Sequence, residues 1–273
     1  MITAHYIPSP PLSEFVKVMW YWDGYIQSHA QERLLPDGAM TIALNLGAQR
    51  VSHDEGDDPG SCASAVAQVI CGTRSTYMVA DTANMVTTFG IQFRPGGAFP
   101  FLRMPASELN DQCVSLEGVF GSGVRSLRDR LLACATPQQK FAVAEQWLLA
   151  QTAKPLQKHP AVEYAVHHFV QGAVGQPLSS VVDRIGYSQR HFNQLFADEV
   201  GLTPKRFLRV RRFQRVITSI SSQPVVDWAD VAVRCGYYDQ SHFTHDFRGF
   251  CGLTPAAYPA HRTPHLNHVP VLD

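Results

Sequence analysis

The strongest constraint on this chain is a repeat within itself. Gly186-Tyr187, His191-Phe192, Phe196 and Gly201-Leu-Thr-Pro204 return as Gly236-Tyr237, His242-Phe243, Phe247 and Gly252-Leu-Thr-Pro255. The glycines of the Gly-Tyr pairs stand fifty residues apart and the later elements fifty-one, so the second copy carries one extra residue after Tyr237. A period of this length marks one supersecondary unit used twice. Each copy opens on a short amphipathic helix: Leu178, Val181, Val182 and Ile185 in the first, Val226, Ala229, Val231, Ala232 and Val233 in the second. A glycine follows, where positive φ costs little. A polar cap, Ser188 or Asp239, then starts a second helix whose apolar residues, Phe192, Leu195 and Phe196 or Phe243 and Phe247, recur at helical spacing on one side. Helix, glycine turn and a helix with a free polar face predict a helix-turn-helix, twice over.

The segment joining the copies, Pro204 to Ser221, has proline at its first turn and apolar Phe207, Leu208, Val210, Phe213, Val216 and Ile217, which predict one long helix. It also holds Lys205, Arg206, Arg209, Arg211, Arg212 and Arg215, the densest basic run in the chain. Such a run is often only a solvated face. Between two helix-turn-helix units it reads as phosphate-facing, with Lys205, Arg206, Arg209 and Arg212 as the expected contacts. Base edges in the major groove are read by Arg toward guanine and by Asn or Gln toward adenine. The polar faces offer Arg190, Asn193 and Gln194 in the first copy, and Gln240, Ser241, His242, Thr244 and His245 in the second. His191, just before a core phenylalanine, reads as structural. Successive major grooves on one side of the duplex lie about 34 Å apart, a spacing that one rigid chain with two such helices can meet.

Asp230-Val-Ala232, Gly236-Tyr237, Gln240-Ser-His-Phe243, Phe247-Arg248 and Gly252-Leu-Thr-Pro-Ala-Ala-Tyr258 resemble the signature of AraC/XylS-type transcriptional regulators, a likeness that runs from Pro160 to Tyr258. One departure is Pro259, where a basic residue is common. The resemblance implies sequence-specific DNA binding in the service of transcription, with base-reading side chains at the positions just named. Duplex DNA is the expected partner; RNA polymerase, a small-molecule effector and a second copy of the chain are further ones.

From Lys17 to about Arg94 the texture changes to strands between turns. Val18, Trp20 and Trp22 alternate with Lys17, Met19 and Tyr21, and Met40–Leu46 and Val86–Phe93 read the same way. Several short strands suggest a small barrel or sandwich. Ser52 to Ser61, rich in Asp, Gly and Ser, reads as an exposed loop. Arg33-Leu-Leu-Pro-Asp-Gly38, Phe93-Arg-Pro-Gly-Gly97 and Glu108-Leu-Asn-Asp111 resemble the cupin-like sensor half of some AraC/XylS members. Trp20, Trp22, Tyr25, Phe89, Phe93 and Arg94 either line an effector pocket with one charged anchor or form the core of the barrel.

Beyond Pro95-Gly96-Gly97 the period becomes helical, with Val124, Leu127 and Leu131, then Phe141, Ala144, Trp147 and Leu148, around a break at Thr136-Pro137. This predicts a helical hairpin. Its apolar surface exceeds what two helices hide in each other, so residues 115–150 are expected to mediate homodimerisation. Gln151 to Pro160 has no periodicity, which sets the expected boundary between domains 1–153 and 154–273. The expected fold class is thus α+β: a small cupin-like β-barrel with a helical hairpin, then an all-α domain of two tandem helix-turn-helix units joined by a long helix.

Composition argues locally. The 23 basic and 23 acidic residues cancel, so no global field advertises a nucleic acid and any basic surface must be local. Nine of the twelve histidines lie from His159 onward. The six cysteines show no C-x-x-C pair and no disulfide spacing, and they read as buried thiols of a reducing compartment. With neither a leader-like N-terminus nor an apolar run of roughly 18 residues, a soluble cytoplasmic protein is expected. A cupin-type metal-dependent enzyme and a cysteine alkyl-acceptor fused to a DNA-binding domain are the alternatives. Each lacks converging ligands in the sequence, so no catalytic residue, metal or cofactor is expected. His261, His265 and His268, beside Pro264 and Pro270, read as a disordered tail.

Overall fold

The computed structural model describes residues 1–47, 68–172 and 178–272. The loop expected at Ser52–Ser61 lies outside them. Nine strands are described: β1 (Ile2–Tyr6), β2 (Val16–Asp23), β3 (Gln31–Leu34), β4 (Thr41–Asn45), β5 (Gln68–Cys71), β6 (Met78–Asp81), β7 (Thr87–Phe93), β8 (Cys113–Ser115) and β9 (His268–Pro270). Six of them pair antiparallel in the order β1-β2-β7-β4-β5-β8, and three form a second sheet, β6-β3-β9. Among the described residues the two sheets do not close into one barrel, and the expected barrel is corrected to a two-sheet arrangement.

The alternation in β2 decides what each face of the large sheet does. Directly opposed residues share a face, so Met19 with Ile91 and Tyr21 with Phe89 point one way, while Trp20 with Gly90 and Trp22 with Thr88 point the other. The first face is buried under helices α1 (Leu116–Phe120), α2 (Gly123–Ala133) and α3 (Pro137–Ala150). The hairpin of α2 and α3 forms where Thr136 and Gln139 make a reciprocal capping box ahead of Pro137. Lys140, buried in α3, donates to the carbonyls of Leu131 and Cys134 and so closes the end of α2. Val124, Leu127, Leu131, Phe141, Trp147 and Leu148 are all buried in the chain's own sheet core. The surplus apolar surface behind the expected dimerisation is therefore consumed within one chain.

The second half contains α4 (Pro160–Gln171), α5 (Leu178–Ile185), α6 (Gln189–Val200), α7 (Pro204–Ile220), α8 (Trp228–Arg234) and α9 (Gln240–Cys251). Helix α4 has no counterpart in the expected elements; His159 caps it by accepting from the Ala161 amide, with Pro160 at its first position. Its Val162, Ala165 and Phe169 join Phe196, Phe207 and Phe213 in a second core. The segment between the halves is fastened to the first: the amides of Ala153 and Lys154 donate to the Pro100 carbonyl, and Lys154 Nζ donates to the Leu102 carbonyl at 2.7 Å.

One expectation about the chain's end is overturned. The C-terminal residues are not a loose tail, because β9 pairs antiparallel with β3 through Glu32–Pro270, Arg33–Val269 and Leu34–His268. Glu32 is fully buried there, with His268 Nδ1 at 2.7 Å, His29 Nε2 at 2.9 Å and the Tyr25 hydroxyl donating at 3.3 Å. Burial alone would raise this carboxyl, and the two histidines, His268 foremost, hold it below its ordinary value. Cys71 and Cys113 stand directly opposed across β5 and β8 with their sulfur atoms side by side. Cys134, Cys235 and Cys251 are free. Among the described residues no helix is long and apolar enough to cross a membrane.

Candidate nucleic-acid interface

Helices α5 and α6 meet at Gly186, with φ +75°, and α8 and α9 meet near Gly236, with φ +83°. Both values lie in the left-handed region that glycine enters freely. The second helix of each pair is then started by a side chain: Ser188 Oγ accepts from the His191 amide, and Asp239 Oδ1 accepts from the His242 amide at 2.7 Å. Each ends on a left-handed glycine, Gly201 or Gly252. Phe192 and Phe196 in α6, and Phe243 and Phe247 in α9, bury one face of each helix against α7 and its neighbours. The opposite faces remain with solvent.

On those faces Arg190, Gln194, Gln240, Ser241 and His245 are exposed, and Asn193 and Thr244 are half-buried. Gln189 donates to Asn193 Oδ1 at 2.7 Å, and Gln194 donates to Asp198 at 2.8 Å, so both amides are oriented along α6. His242, half-buried in the same set, has partners of its own: its Nε2 lies 3.5 Å from the buried Asp246 carboxylate and its ring stands edge-on to Tyr237, as the ring of exposed His191 stands edge-on to Tyr187. Two residues that sequence reasoning left out stand on the same side. Tyr238, the extra residue of the second copy, is 94% exposed just before the cap of α9. Arg248 is exposed one turn beyond Thr244, and helical spacing was the available signal.

The basic helix α7 is divided between two tasks. Lys205 and Arg206 are exposed at its start, and Arg206 donates to Asn110 at 3.4 Å. Arg209 donates to Asp246 of α9 at 2.6 Å, a hydrogen bond that holds its guanidinium above its ordinary value. Arg212 lies over the Tyr237 ring, 5.1 Å from its centroid. Arg211 donates to the Asp37 carbonyl, and Arg215 donates to the carbonyls of Phe169 and Gly172 at the end of α4. Of the four expected phosphate contacts, Arg209 and Arg212 therefore fasten α7 to the second unit, and Lys205 and Arg206 face outward.

The expected effector residues separate by sheet face. Trp20 and Trp22 line a cavity of about 410 Å³ on the side away from the hairpin, with Tyr25 stacked on Trp22 at 4.7 Å. Phe89 and Phe93 are buried in the opposite core, and Arg94 is exposed and donates to the Ser13 carbonyl, so these three do not line it. Thr88 and Gln92, whose side chains share the parity of Trp22 and Val18 across the β2–β7 pair, take their place. Among the described residues no cluster of three or more His, Cys, Asp or Glu could hold a metal ion.

The fold and these faces are those of a helix-turn-helix domain, and comparison with known proteins gives the same class. Residues 181–261 match the family described as a helix-turn-helix domain, and residues 4–115 match a domain of unknown function. The right origin-binding protein of Escherichia coli K12 is 30% identical over 94 residues, 33% of this chain and 32% of that protein. The probable transcription factor PqrA of Proteus vulgaris is 27% identical over 84 residues, 31% of this chain and 68% of that protein. The chain thus spans about a third of the length of the first of these relatives. ToxT of Vibrio cholerae O395 aligns over 95% of this chain and 96% of its own, with 8% identity and a TM-score of 0.38. Within this chain the shared part is the helix-turn-helix domain of residues 181–261.

Proposed function

We propose that this protein regulates transcription by sequence-specific binding of duplex DNA, with α6 and α9 entering successive major grooves. The observation that carries the reading is the duplicated geometry: two capped helices, each with a buried phenylalanine face and a polar solvent face, Arg190, Asn193 and Gln194 on α6 and Gln240, Ser241, Thr244 and His245 on α9. Arg190, Asn193, Gln194, Gln240, Ser241, Thr244 and His245 are the base-reading candidates. Lys205 and Arg206, with Arg248, meet phosphates, and Tyr238 extends the edge of the second unit toward the backbone. Both reading helices belong to one chain, so the mode needs no second copy. Residues 154–273 act as the DNA-binding domain and residues 1–153 as a cupin-like sensor whose cavity takes a small effector. Contact with RNA polymerase and residence in the cytoplasm complete the proposal.

The experiment is selection of bound duplexes from a random pool by the full chain, followed by footprinting. Two protected half-sites one helical turn apart are expected, with affinity falling steeply as salt rises. Salt-sensitive binding with no enriched sequence would defeat the reading.

A further inference from the structure

The cavity behind Trp20 and Trp22 has a charge character that narrows what it accepts. Strand register sets its floor: His5, Trp20, Gly90 and Ala43 are opposed in line across β1, β2, β7 and β4, and Trp22, Thr88 and Asn45 lie one step along. Glycine is required at position 90, because a Cβ there would sit 2.0 Å from Trp20 Cζ2. The indole of Trp20 rests where that side chain would be, and with Trp22, Val18 and Met78 it makes an apolar, π-rich wall.

Among the described residues the charged groups on the lining are Asp37, Asp81 and Arg74, with the imidazoles of His5 and His268 beside them, and Lys17 and Arg211 act on the Asp37 carboxyl. Arg74 Nη1 donates to the Asp111 carbonyl at 3.3 Å, so the single guanidinium is held to the wall. An anionic occupant would meet two carboxylates. Asp37 Oδ1 accepts from the Ala39 amide at 3.0 Å, and its other oxygen accepts from Gln92. Burial pushes this carboxyl up against the opposing pull of the Ala39 amide, Lys17 and Arg211, and a further positive group beside it would favour its ionised form.

The same wall is bonded to the DNA-binding half. Arg211 donates to the Asp37 carbonyl at 3.2 Å, and Gln214 Nε2 donates to the Pro36 carbonyl at 2.8 Å and to Asn267 Oδ1 at 2.9 Å. Three lining residues are thereby tied to one turn of α7, the helix that joins the two reading units.

We propose that this cavity takes a lipophilic organic cation, its apolar body against Trp20 and Trp22 and its charge at Asp37, and that α7 registers the occupant through Arg211 and Gln214. The inference rests on the reading of the N-terminal half as a sensor. Titration calorimetry of the full chain with three ligands of one aromatic body tests it: (1-naphthylmethyl)trimethylammonium, 1-naphthylmethanol and 1-naphthylacetate. The cation is expected to bind about tenfold tighter than the alcohol, and the acid not at all. Asp37→Asn should remove that tenfold preference and leave the alcohol unchanged; Asp81→Asn, nearer the surface, is the second variant should Asp37→Asn fail to fold. The cation should also change affinity for a selected duplex, and Gln214→Leu should abolish that change while preserving cation binding. Equal binding of cation and alcohol, or preferential binding of the acid, overturns the cation while the sensor reading stands. Binding of none of the three, by a chain that still binds its duplex, overturns both.

Discussion

The two helix pairs, α5 with α6 and α8 with α9, share one sequence pattern and stand in different surroundings. In the first, α6 runs into the sheet half: it packs on the turns Phe99–Phe101 and Ala106–Leu109, and Thr73 Oγ1 donates to the Val200 carbonyl in a buried hydrogen bond. In the second, α9 packs mainly on α7 and α8 and meets the sheet half only at its closing end, with Asp246 buried against Arg209 where the first unit has half-buried Leu195. The tyrosine after the turn glycine is 38% exposed in the first unit and 5% in the second, where Arg212 covers it. What repeats is the apolar frame and its caps. What differs lies where each unit meets its neighbours, so the repeat fixes the local fold and the surroundings fix the energetics.

The closing glycines give the largest contrast. Both have positive φ, which costs a Cβ-bearing residue roughly 1–2 kcal/mol. A Cβ at Gly201 would also lie 2.1 Å from Thr73 Oγ1, whereas at Gly252 it would meet Arg33 Nε and the Tyr77 ring at 3.0 Å. Gly201→Ala is expected to lose about 3 kcal/mol in urea unfolding and Gly252→Ala about 1 to 2. Equal losses would mean that the two caps are equally free.

A smaller contrast is electrostatic. Asp246→Leu copies the residue of the first unit and leaves Arg209 without its carboxylate. Breaking a fully buried pair costs roughly 3–5 kcal/mol, and because Arg209 is half-exposed about 2 is expected here. Adding Arg209→Met should recover most of that loss. A double variant as unstable as the single one would show that the pair does more than neutralise itself.

The smallest contrast is with pH. Burial pushes the Cys251 thiol and the Tyr258 phenol both up to about 12, from ordinary values of 9.0 and 10.0. Held protonated in the fold, they contribute stability that is complete below the ordinary values and fades as pH climbs toward 12. The first unit has Val200 and Phe207 at these places and carries no such term. A Cys251→Val, Tyr258→Phe chain should show a shallower fall in melting temperature above about pH 9 than the parent. Parallel curves would remove these groups from the account.

Much of this was legible in the residues because it is local. Ser188, Asp239, Pro204 and the phenylalanine spacing place α6, α7 and α9, since caps and period act within a turn or two. Parity along β2 likewise separates Trp20 and Trp22 from Phe89 and Phe93 once the β7 register is known, and register is the part a single strand does not carry. The long-range features were illegible for the same reason. Strand β9 has three residues and a partner more than two hundred positions away. Arg209 and Arg212 read as free cations until α9 supplies Asp246 and the turn before it supplies Tyr237. Whether the hairpin's surplus apolar surface meets a second copy or its own sheet was likewise a tertiary matter.

The central claim, that one chain reads two half-sites with two different helices, is tested most directly by Arg190→Ala and Gln240→Ala on a selected duplex and its single-base variants. Each should weaken specific binding by about 1–3 kcal/mol, and each should relax preference in a different half-site, the two lying one helical turn apart. If both substitutions relax the same half-site, or weaken all sequences alike, α6 and α9 do not read DNA as two separate units.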